Sequence, residues 1–303
     1  MRLGVHIRIG GGLLKSLDRA RELGCEAVQL FSGNPNAWHR TPPDLIAAEM
    51  FRARTAELGI RPIVLHTPYL LNLAAPDDAI WTKSRDSLAD AVWRAPAMGA
   101  SIVVTHIGSH KGEGYEAGVH RIGEAVRFAL DVPAHPEPVE GRAEPAAPAH
   151  PEPVEGPVIA LELGSGSGNS IGSRFEQIAD IMAELSDVSD RVGICIDTAH
   201  LWGAGYDIST AEGVRAMFDL LKQHVGFGKL KIVHLNDTLM ALDSRRDRHH
   251  HIGQGQIGLE GFRAILNYPG TRDLPGIIET PADDNDLTPD KQNLAALRGL
   301  LSL

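Results

Sequence analysis

VGICIDTAH, residues 192–200, is the stretch on which the fold turns. Its apolar run ends in a carboxylate, Asp197, and an imidazole follows three residues later at His200. A short, continuous apolar run of this kind reads as a strand buried on both faces, as in a parallel sheet. Two similar pairs lie downstream, His234-Leu-Asn-Asp237 and Asp247-Arg-His249. Working outward from them, strand-like runs occur at Leu3–Ile9, Ala27–Phe31, Pro62–His66, Ser101–His106, Val158–Glu162, Val192–Asp197, Lys231–Leu235 and Gly276–Glu279. In the first of these, Val5, Ile7 and Ile9 alternate with His6 and Arg8. Helical patterns lie between the runs. Phe175, Ile178, Met182 and Leu185 make one apolar stripe over Arg174–Leu185, preceded by a capping-box signature at Ser173 and Glu176. Another helix follows Gly258, with Leu259, Phe262 and Leu266 on one face. Eight strands alternating with helices favour an α/β fold of the (β/α)8 or TIM-barrel type. A doubly wound sheet would place a phosphate-binding GxGxxG after the first strand, and Gly10-Gly11-Gly12 lacks that spacing.

Composition sets the outer limits. With 303 residues, 43% of them hydrophobic, the chain can bury a large core, and it reads as a single barrel domain over 1–303. One stretch stands apart: PAHPEPVEG occurs at 133–141 and again at 148–156, so that residues 133–157 read as a Pro/Glu-rich, low-complexity insertion on the surface. His135 and His150 within it are not counted as ligands. Pro96 lies in the helical run Trp81 to Met98 and is expected to kink or end it. The formal charge of −10 argues against a general basic coat for nucleic acid but says nothing of a local site. Cys25 and Cys195 are too few for a disulfide framework and fit a reducing compartment. No apolar run approaches the roughly 18 residues of a membrane span, and the N-terminus lacks a signal peptide's apolar stretch. The expectation is a cytoplasmic protein without a membrane partner.

The chemistry-bearing residues fall at strand ends. His66, His106, Glu162, Asp197, His234 and Glu279 each close or nearly close a different apolar run. In a parallel barrel all strand C-termini open on one face, so these side chains converge. Burying three imidazoles and three carboxylates together without partners would be prohibitive, and divalent metals resolve the charge problem. Nitrogen and oxygen donors without thiolate suit zinc, with manganese or iron as alternatives. His200 is expected in the loop beyond its strand, and Asp247 and His249 in an extended loop where both can grip one ion. His250 and His251 read as a solvated loop. Asn236 and Asp237 are either groups that orient imidazoles or turn-makers. Arg245 is either a phosphate clamp or an ordinary surface arginine.

At this point the residues carry a resemblance. HTPYLLNLA at 66–74, THIGSH at 105–110, LELGSGSGNSIG at 161–172, VGICIDTAHLWGAGYDI at 192–208, HLNDTLMALDSRRDRHHHIGQGQIGLEGF at 234–262 and IIETP at 277–281 are similar to the endonuclease IV family of zinc-dependent apurinic/apyrimidinic endonucleases. The similarity runs from the first strand to the last, leaving out the insertion. It implies a TIM barrel with three zinc ions, manganese being an alternative at one site. His66 and His106 would hold the first, Glu162 would bridge first and second, Asp197, His234 and Glu279 would complete the second, and His200, Asp247 and His249 would hold the third. It also implies double-stranded DNA with abasic sites as the partner, bound by a monomer. Tyr69 and Leu70 would wedge into the duplex, Asn34, Asn36 and Trp38 would lie in a second DNA loop, and Arg245 would meet a phosphate. The implied reaction is hydrolysis of the phosphodiester 5′ to the lesion, with Glu162 catalytic, leaving a 3′-hydroxyl and a 5′-deoxyribose phosphate. The chain departs from the family at Asn36, where a basic or larger polar residue is usual, and at Leu163-Gly164, where Asn-Thr is more common.

Two rival readings stand beside this one. A metal-dependent sugar isomerase or epimerase uses a related barrel, but has no use for Asp247-Arg-His249 or for a Tyr69-Leu70 wedge. A protein that binds abasic DNA without cutting it would not need an intact ligand set. Bound metal content separates the first rival, and incision of an abasic duplex separates the second.

Overall fold

A computed structural model of the chain describes residues 1–38, 44–131, 156–282 and 286–302. Eight parallel strands close into a barrel in sequence order: β1 (Arg2–His6), β2 (Ala27–Phe31), β3 (Ile63–His66), β4 (Ala100–His106), β5 (Val158–Glu162), β6 (Val192–Asp197), β7 (Leu230–His234) and β8 (Pro275–Ile278). All eight expected strands are present. The largest difference in bounds is in β1, which ends at His6 rather than Ile9.

Alternation along the strands divides the barrel into two apolar regions. Outward-facing residues such as Leu3, Val5, Leu65, Val103, Leu161, Ile194 and Val233 pack into one large core with the helices. A smaller separate cluster comprises Ala27, Val64, Ile102, Val104, Ala160, Cys195, Ile232 and Ile277. These have the opposite parity and fill the barrel interior. Two residues further along each strand, on the same inward face, the side chains turn polar: Gln29, His66, His106, Glu162, Asp197, His234 and Glu279. In β1 the same step leads from Gly4 to His6. A Cβ on Gly4 would stand 1.8 Å from the Ala27 carbonyl oxygen, so glycine is required for β1 and β2 to pair. The barrel is thus a dry apolar plug topped by a ring of eight polar side chains.

The surrounding helices are α1 (Leu13–Glu22), α2 (Leu45–Leu58), α3 (Asp78–Met98), α4 (Tyr115–Leu130), α5 (Phe175–Glu184), α6 (Thr198–Gly203), α7 (Ala211–His224), α8 (Gly258–Leu266) and α9 (Thr288–Leu300). Asp44 and Asp77 cap α2 and α3 by accepting from Ala47 N and Ile80 N. Three expectations need correction. Pro96 neither ends nor interrupts α3, which runs on to Met98 and stops at Gly99 in the left-handed conformation. Proline there forgoes its own N–H bond to the preceding turn, and the helix continues for two residues beyond it. The capping box before α5 does not form: the first residue before the helix is Arg174, and Gln177 Oε1 instead accepts from Gly172 N and Ser173 N, both at 3.0 Å. On α8, Leu259 is 46% exposed, and Phe262, Ile265 and Leu266 make the buried face. The repeat-bearing insertion lies outside the described residues except for Gly156 and Pro157. No helix among the described residues is long and apolar enough to cross a membrane.

Candidate metal centre

The Asp-x-x-His spacing at 197–200 has a local cause. Asp197 ends β6 and caps α6, its Oδ1 accepting from His200 N at 3.0 Å. His200 therefore stands on the first turn of a short helix, not in a loop as the sequence suggested. Capping occupies one carboxylate oxygen and leaves the other, Oδ2, to the centre, where Asn236 Nδ2 donates to it at 2.6 Å. Asn236 Oδ1 in turn accepts from Glu279 N at 2.7 Å. Asn236 thus positions one strand-end carboxylate and the backbone of another. Asp237 has the turn-making role: its carboxylate accepts from Thr238 N, Gly253 N, Gly255 N and Ile257 N, tying down the GQGQ loop.

All nine residues expected at the site come together. Glu162 lies in the middle, 1% exposed, and its two oxygens face different neighbours. Oε2 is 3.2 Å from His66 Nε2 and 3.4 Å from His106 Nδ1, and Oε1 is 3.1 Å from His234 Nδ1. Glu279 Oε2 approaches His234 Nδ1 at 3.2 Å. Asp247 reaches in from the loop after β7, Oδ2 being 3.1 Å from His200 Nε2 and Oδ1 3.2 Å from His249 Nε2. Ligand atoms lie within 4.8 Å of one another in four overlapping groups: His66, His106 and Glu162; Glu162, Asp197, His234 and Glu279; Asp197, His200 and His249; and Glu162, Cys195 and His234. A cavity of about 210 Å³ lies among them, opening beside a groove of about 720 Å³ that shares His106, Glu162, His200 and Asp247.

Hydrogen bonds set the imidazole tautomers. Nδ1 of His66 donates to Thr67 O at 2.6 Å, that of His200 to Leu163 O at 2.9 Å, and that of His249 to Glu279 O at 3.2 Å. A carbonyl oxygen only accepts, so each Nδ1 carries a proton and the neutral ring presents the Nε2 lone pair to the centre. Anchoring by an outer acceptor is the usual arrangement of metal-bound histidines. His249 Nε2 is buried and faces two carboxylates, Asp247 Oδ1 at 3.2 Å and Asp197 Oδ2 at 3.5 Å. Leu163 departs from the family as a side chain, yet the contact to His200 is made by its backbone, and its side chain is buried in the outer core.

The electrostatics call for positive charge. Burial lowers His200 and His234, but neighbouring acidic groups raise them far more: Asp197 and Asp247 around His200, Cys195 and Glu279 around His234. His249 rises to about 9 against the lowering effect of burial, through Asp197 and Asp247. Burial alone would raise Glu162, Asp247 and Glu279, yet all three lie below the ordinary carboxylate range because imidazoles surround them. Burial pushes the Cys195 thiol up to about 12, and the other donors grouped here are nitrogen and oxygen. Divalent zinc or manganese suits that set. Burial, followed by Glu279, Glu162 and Asp247, lifts Tyr69 to about 12, keeping it a neutral phenol.

The remaining expected residues surround the mouth. Tyr69 and Leu70 are 56% and 37% exposed, and the Tyr69 ring centroid is 6.2 Å from those of His66 and His106. Asn34 and Asn36 are exposed, joined by a bond from Asn36 N to Asn34 Oδ1, and Tyr69 N donates to Pro35 O, bracing the two loops. Trp38 is half-buried against the core. Arg245 is exposed, with φ of 57°, and lies 3.8 Å from Asp243. His250 and His251 stay outside the cluster, His251 Nδ1 being 3.1 Å from Asn293 Nδ2. Two residues were not foreseen. His6 Nδ1 is 2.8 Å and Gln29 Nε2 2.7 Å from Glu279 Oε1. Both lie at the inward parity of their strands, which is the signal that would have found them.

Comparison with known proteins agrees with this geometry. The family description "xylose isomerase-like TIM barrel" matches residues 17–301. A protein named probable endonuclease 4 from Chloroflexus aurantiacus is 40% identical over 300 residues, covering 99% of this chain and 98% of its own. The crystal structure of endonuclease IV from Thermus thermophilus superposes with a TM-score of 0.81 at 32% identity, over 99% of this chain and 98% of that one. A D-tagatose 3-epimerase-like protein superposes at 0.67 with 18% identity, over 99% and 98% of the two chains, a likeness of fold alone.

Proposed function

Because the chain belongs to the endonuclease IV family, we propose that it repairs DNA by hydrolysing the phosphodiester 5′ to an abasic site, leaving a 3′-hydroxyl and a 5′-deoxyribose phosphate. The chain is a nuclease of that family. The observation that carries the finer reading is the position of His200, Asp247 and His249 directly beside the Glu162 centre. One ion suffices to polarise a sugar carbonyl. A third group of donors suits a phosphodiester, which develops charge on both the attacking and the leaving oxygen.

In this reading the nine side chains would hold three zinc ions, with manganese an alternative at one. His66 and His106 serve the first, Asp197, His234 and Glu279 the second, and His200, Asp247 and His249 the third, with Glu162 shared between first and second. Zinc there supplies a Lewis acid that brings water's pKa toward neutrality and neutralises phosphoryl oxygens. The protein's own groups do the rest. Glu162, with one oxygen toward each neighbouring group, orients the attacking water and takes its proton. Tyr69 and Leu70 fill the space left by the missing base, and extrusion of an abasic nucleotide costs little because it has no base to unstack. Asn34, Asn36 and Trp38 brace the adjoining loop, and Arg245 pairs with a backbone phosphate. The reading takes the protein to act as a monomer, with all the proposed ligands on one chain.

The test is incision of a duplex bearing a single abasic analogue, with metals quantified on the same sample. An uncut duplex with metal-replete protein would defeat the nuclease reading, and fewer than three ions per chain would defeat the three-ion reading. Glu162→Gln is expected to abolish cutting while circular dichroism stays that of the wild type. Retained incision would remove Glu162 from the mechanism.

A further inference from the structure

Two buried side chains outside the proposed ligand set converge on it from the first two strands. Gln29 is fully buried on β2, and the His6 side chain is 7% exposed at the end of β1. Both point at one atom, Glu279 Oε1, from Gln29 Nε2 at 2.7 Å and His6 Nδ1 at 2.8 Å. The other end of the same amide, Gln29 Oε1, is 2.9 Å from His234 Nε2. The polarity of the contacts from Gln29 to Glu279 and His234 is forced. A carboxylate oxygen only accepts, so Gln29 Nε2 donates to Glu279 Oε1, and it also lies 3.0 Å from His6 Nδ1, whose role as donor to Glu279 or acceptor from the amide follows its tautomer. The amide oxygen must then be the atom facing His234, and His234 Nε2 must carry a proton. That leaves the Nδ1 lone pair of His234 turned toward Glu162 Oε1 at 3.1 Å and Glu279 Oε2 at 3.2 Å. It also leaves Glu279 one oxygen, Oε2, on the side of the centre. His234 is thereby set apart from His66, His200 and His249, which present Nε2.

We propose that Gln29, assisted by His6, is the positioning residue of the middle metal site, holding His234 to ligation through Nδ1 and Glu279 to ligation through a single oxygen. This rests on the metal reading given above. An amide buried in the apolar run AVQLF is unfavourable unless all its bonds are made, and here donor and acceptor are both spent on the proposed ligands of one ion. Confining Glu279 to one oxygen keeps the coordination number low and a position open for water or a phosphate oxygen. Side chains that orient metal ligands from behind are typically worth about ten- to a hundred-fold in metal affinity.

The experiment is chelator competition on the full-length protein loaded with Zn2+, together with the visible absorption spectrum of the Co2+-loaded form. Gln29→Met keeps length and burial but removes both ends of the amide. It is expected to release one ion per chain about ten- to a hundred-fold more readily than wild type, retain the others, and change the Co2+ spectrum. His6→Phe keeps the ring beside Phe31, whose centroid is 4.2 Å away, and removes the Nδ1 contact to Glu279. It is expected to weaken the same ion less than Gln29→Met does. His6→Asn, whose side-chain amide can stand where Nδ1 stands, should recover most of that loss. If Gln29→Met does not fold, the His6 pair carries the test alone. Wild-type affinities and an unchanged Co2+ spectrum in Gln29→Met and His6→Phe would overturn the proposal while leaving the metal reading intact. A wild-type protein that takes up no ion would instead overturn the metal reading, and this inference with it.

Discussion

Asp237 shows how one side chain can hold a loop without touching the chemistry. It is fully buried, and its two oxygens accept four backbone N–H groups between Thr238 and Ile257. A Cβ on Gly255 would stand 2.3 Å from Asp237 Oδ1, so the second glycine of GQGQ is there for close approach. Replacing Asp237 by Asn turns one acceptor into a donor and leaves two buried N–H groups unpaired. Each such group costs about 1–3 kcal/mol, so Asp237→Asn should lose about 2–6 kcal/mol in urea denaturation. A loss below about 1 kcal/mol would mean that the loop re-pairs. From the sequence, Asn236 and Asp237 are equivalent candidates for orienting imidazoles or making a turn. In the fold Asn236 orients carboxylate and backbone, and Asp237 makes the turn. The difference depends on which strand ends lie opposite, which adjacent residues in a sequence cannot disclose. The nine proposed ligands were legible because each breaks an apolar run at its end or falls at a metal-ligand spacing. His6 and Gln29 were not, because the lone Gln29 in AVQLF reads as an interruption and His6 in LGVHIRI reads as one of two alternating polar positions until their inward parity is known.

At the scale of elements, the parallel barrel sorts connections by face. Segments that follow strands lie at the mouth, and segments that lead from helices into strands lie at the opposite end. All the proposed ligands fall at strand ends or in the segments after them. The described residues flanking the Pro/Glu-rich insertion, Asp131 after α4 and Gly156 before β5, belong to the other class. Replacing residues 133–155 with a short Gly-Ser linker should therefore leave kcat/KM for an abasic duplex within about twofold, because loop length alone costs little in closure entropy. A tenfold fall in incision would show that the segment influences the mouth. Element identity was easily read from the sequence, since continuous apolar runs alternate with amphipathic ones. Element ends were harder. Gln177 takes the Ser173 N–H that Glu176 would have served in a capping box, together with that of Gly172, and α3 runs two residues past Pro96.

Over the whole molecule, a chain of formal charge −10 gathers its imidazoles around four carboxylates, and that arrangement dictates how stability should respond to pH with and without metal. In chelated protein, His200, His234 and His249 have raised values, His249 to about 9. The folded state then binds more protons than the unfolded chain, whose histidines titrate near about 6.5. Stability from these three is complete below about 6.5 and declines as pH rises above it, that of His249 through about 9. His6 and His106 are lowered by burial, so their effect is confined to pH below about 6.5, where acidification costs stability. Glu162, Asp247 and Glu279 are depressed, and their contribution is lost only in acid, below about 4. Between about pH 6.5 and 9 the three raised histidines therefore set the slope, and chelated protein should melt at progressively lower temperature across that window. Zinc should reverse the trend, because metal and proton compete for the same nitrogens and the metal wins more easily as pH rises. The gap in Tm between zinc-loaded and chelated protein should widen steadily from about pH 6.5 to 9, as scanning calorimetry of both forms in matched buffers would show. A gap that stayed constant would mean that these imidazoles are not where the metal binds.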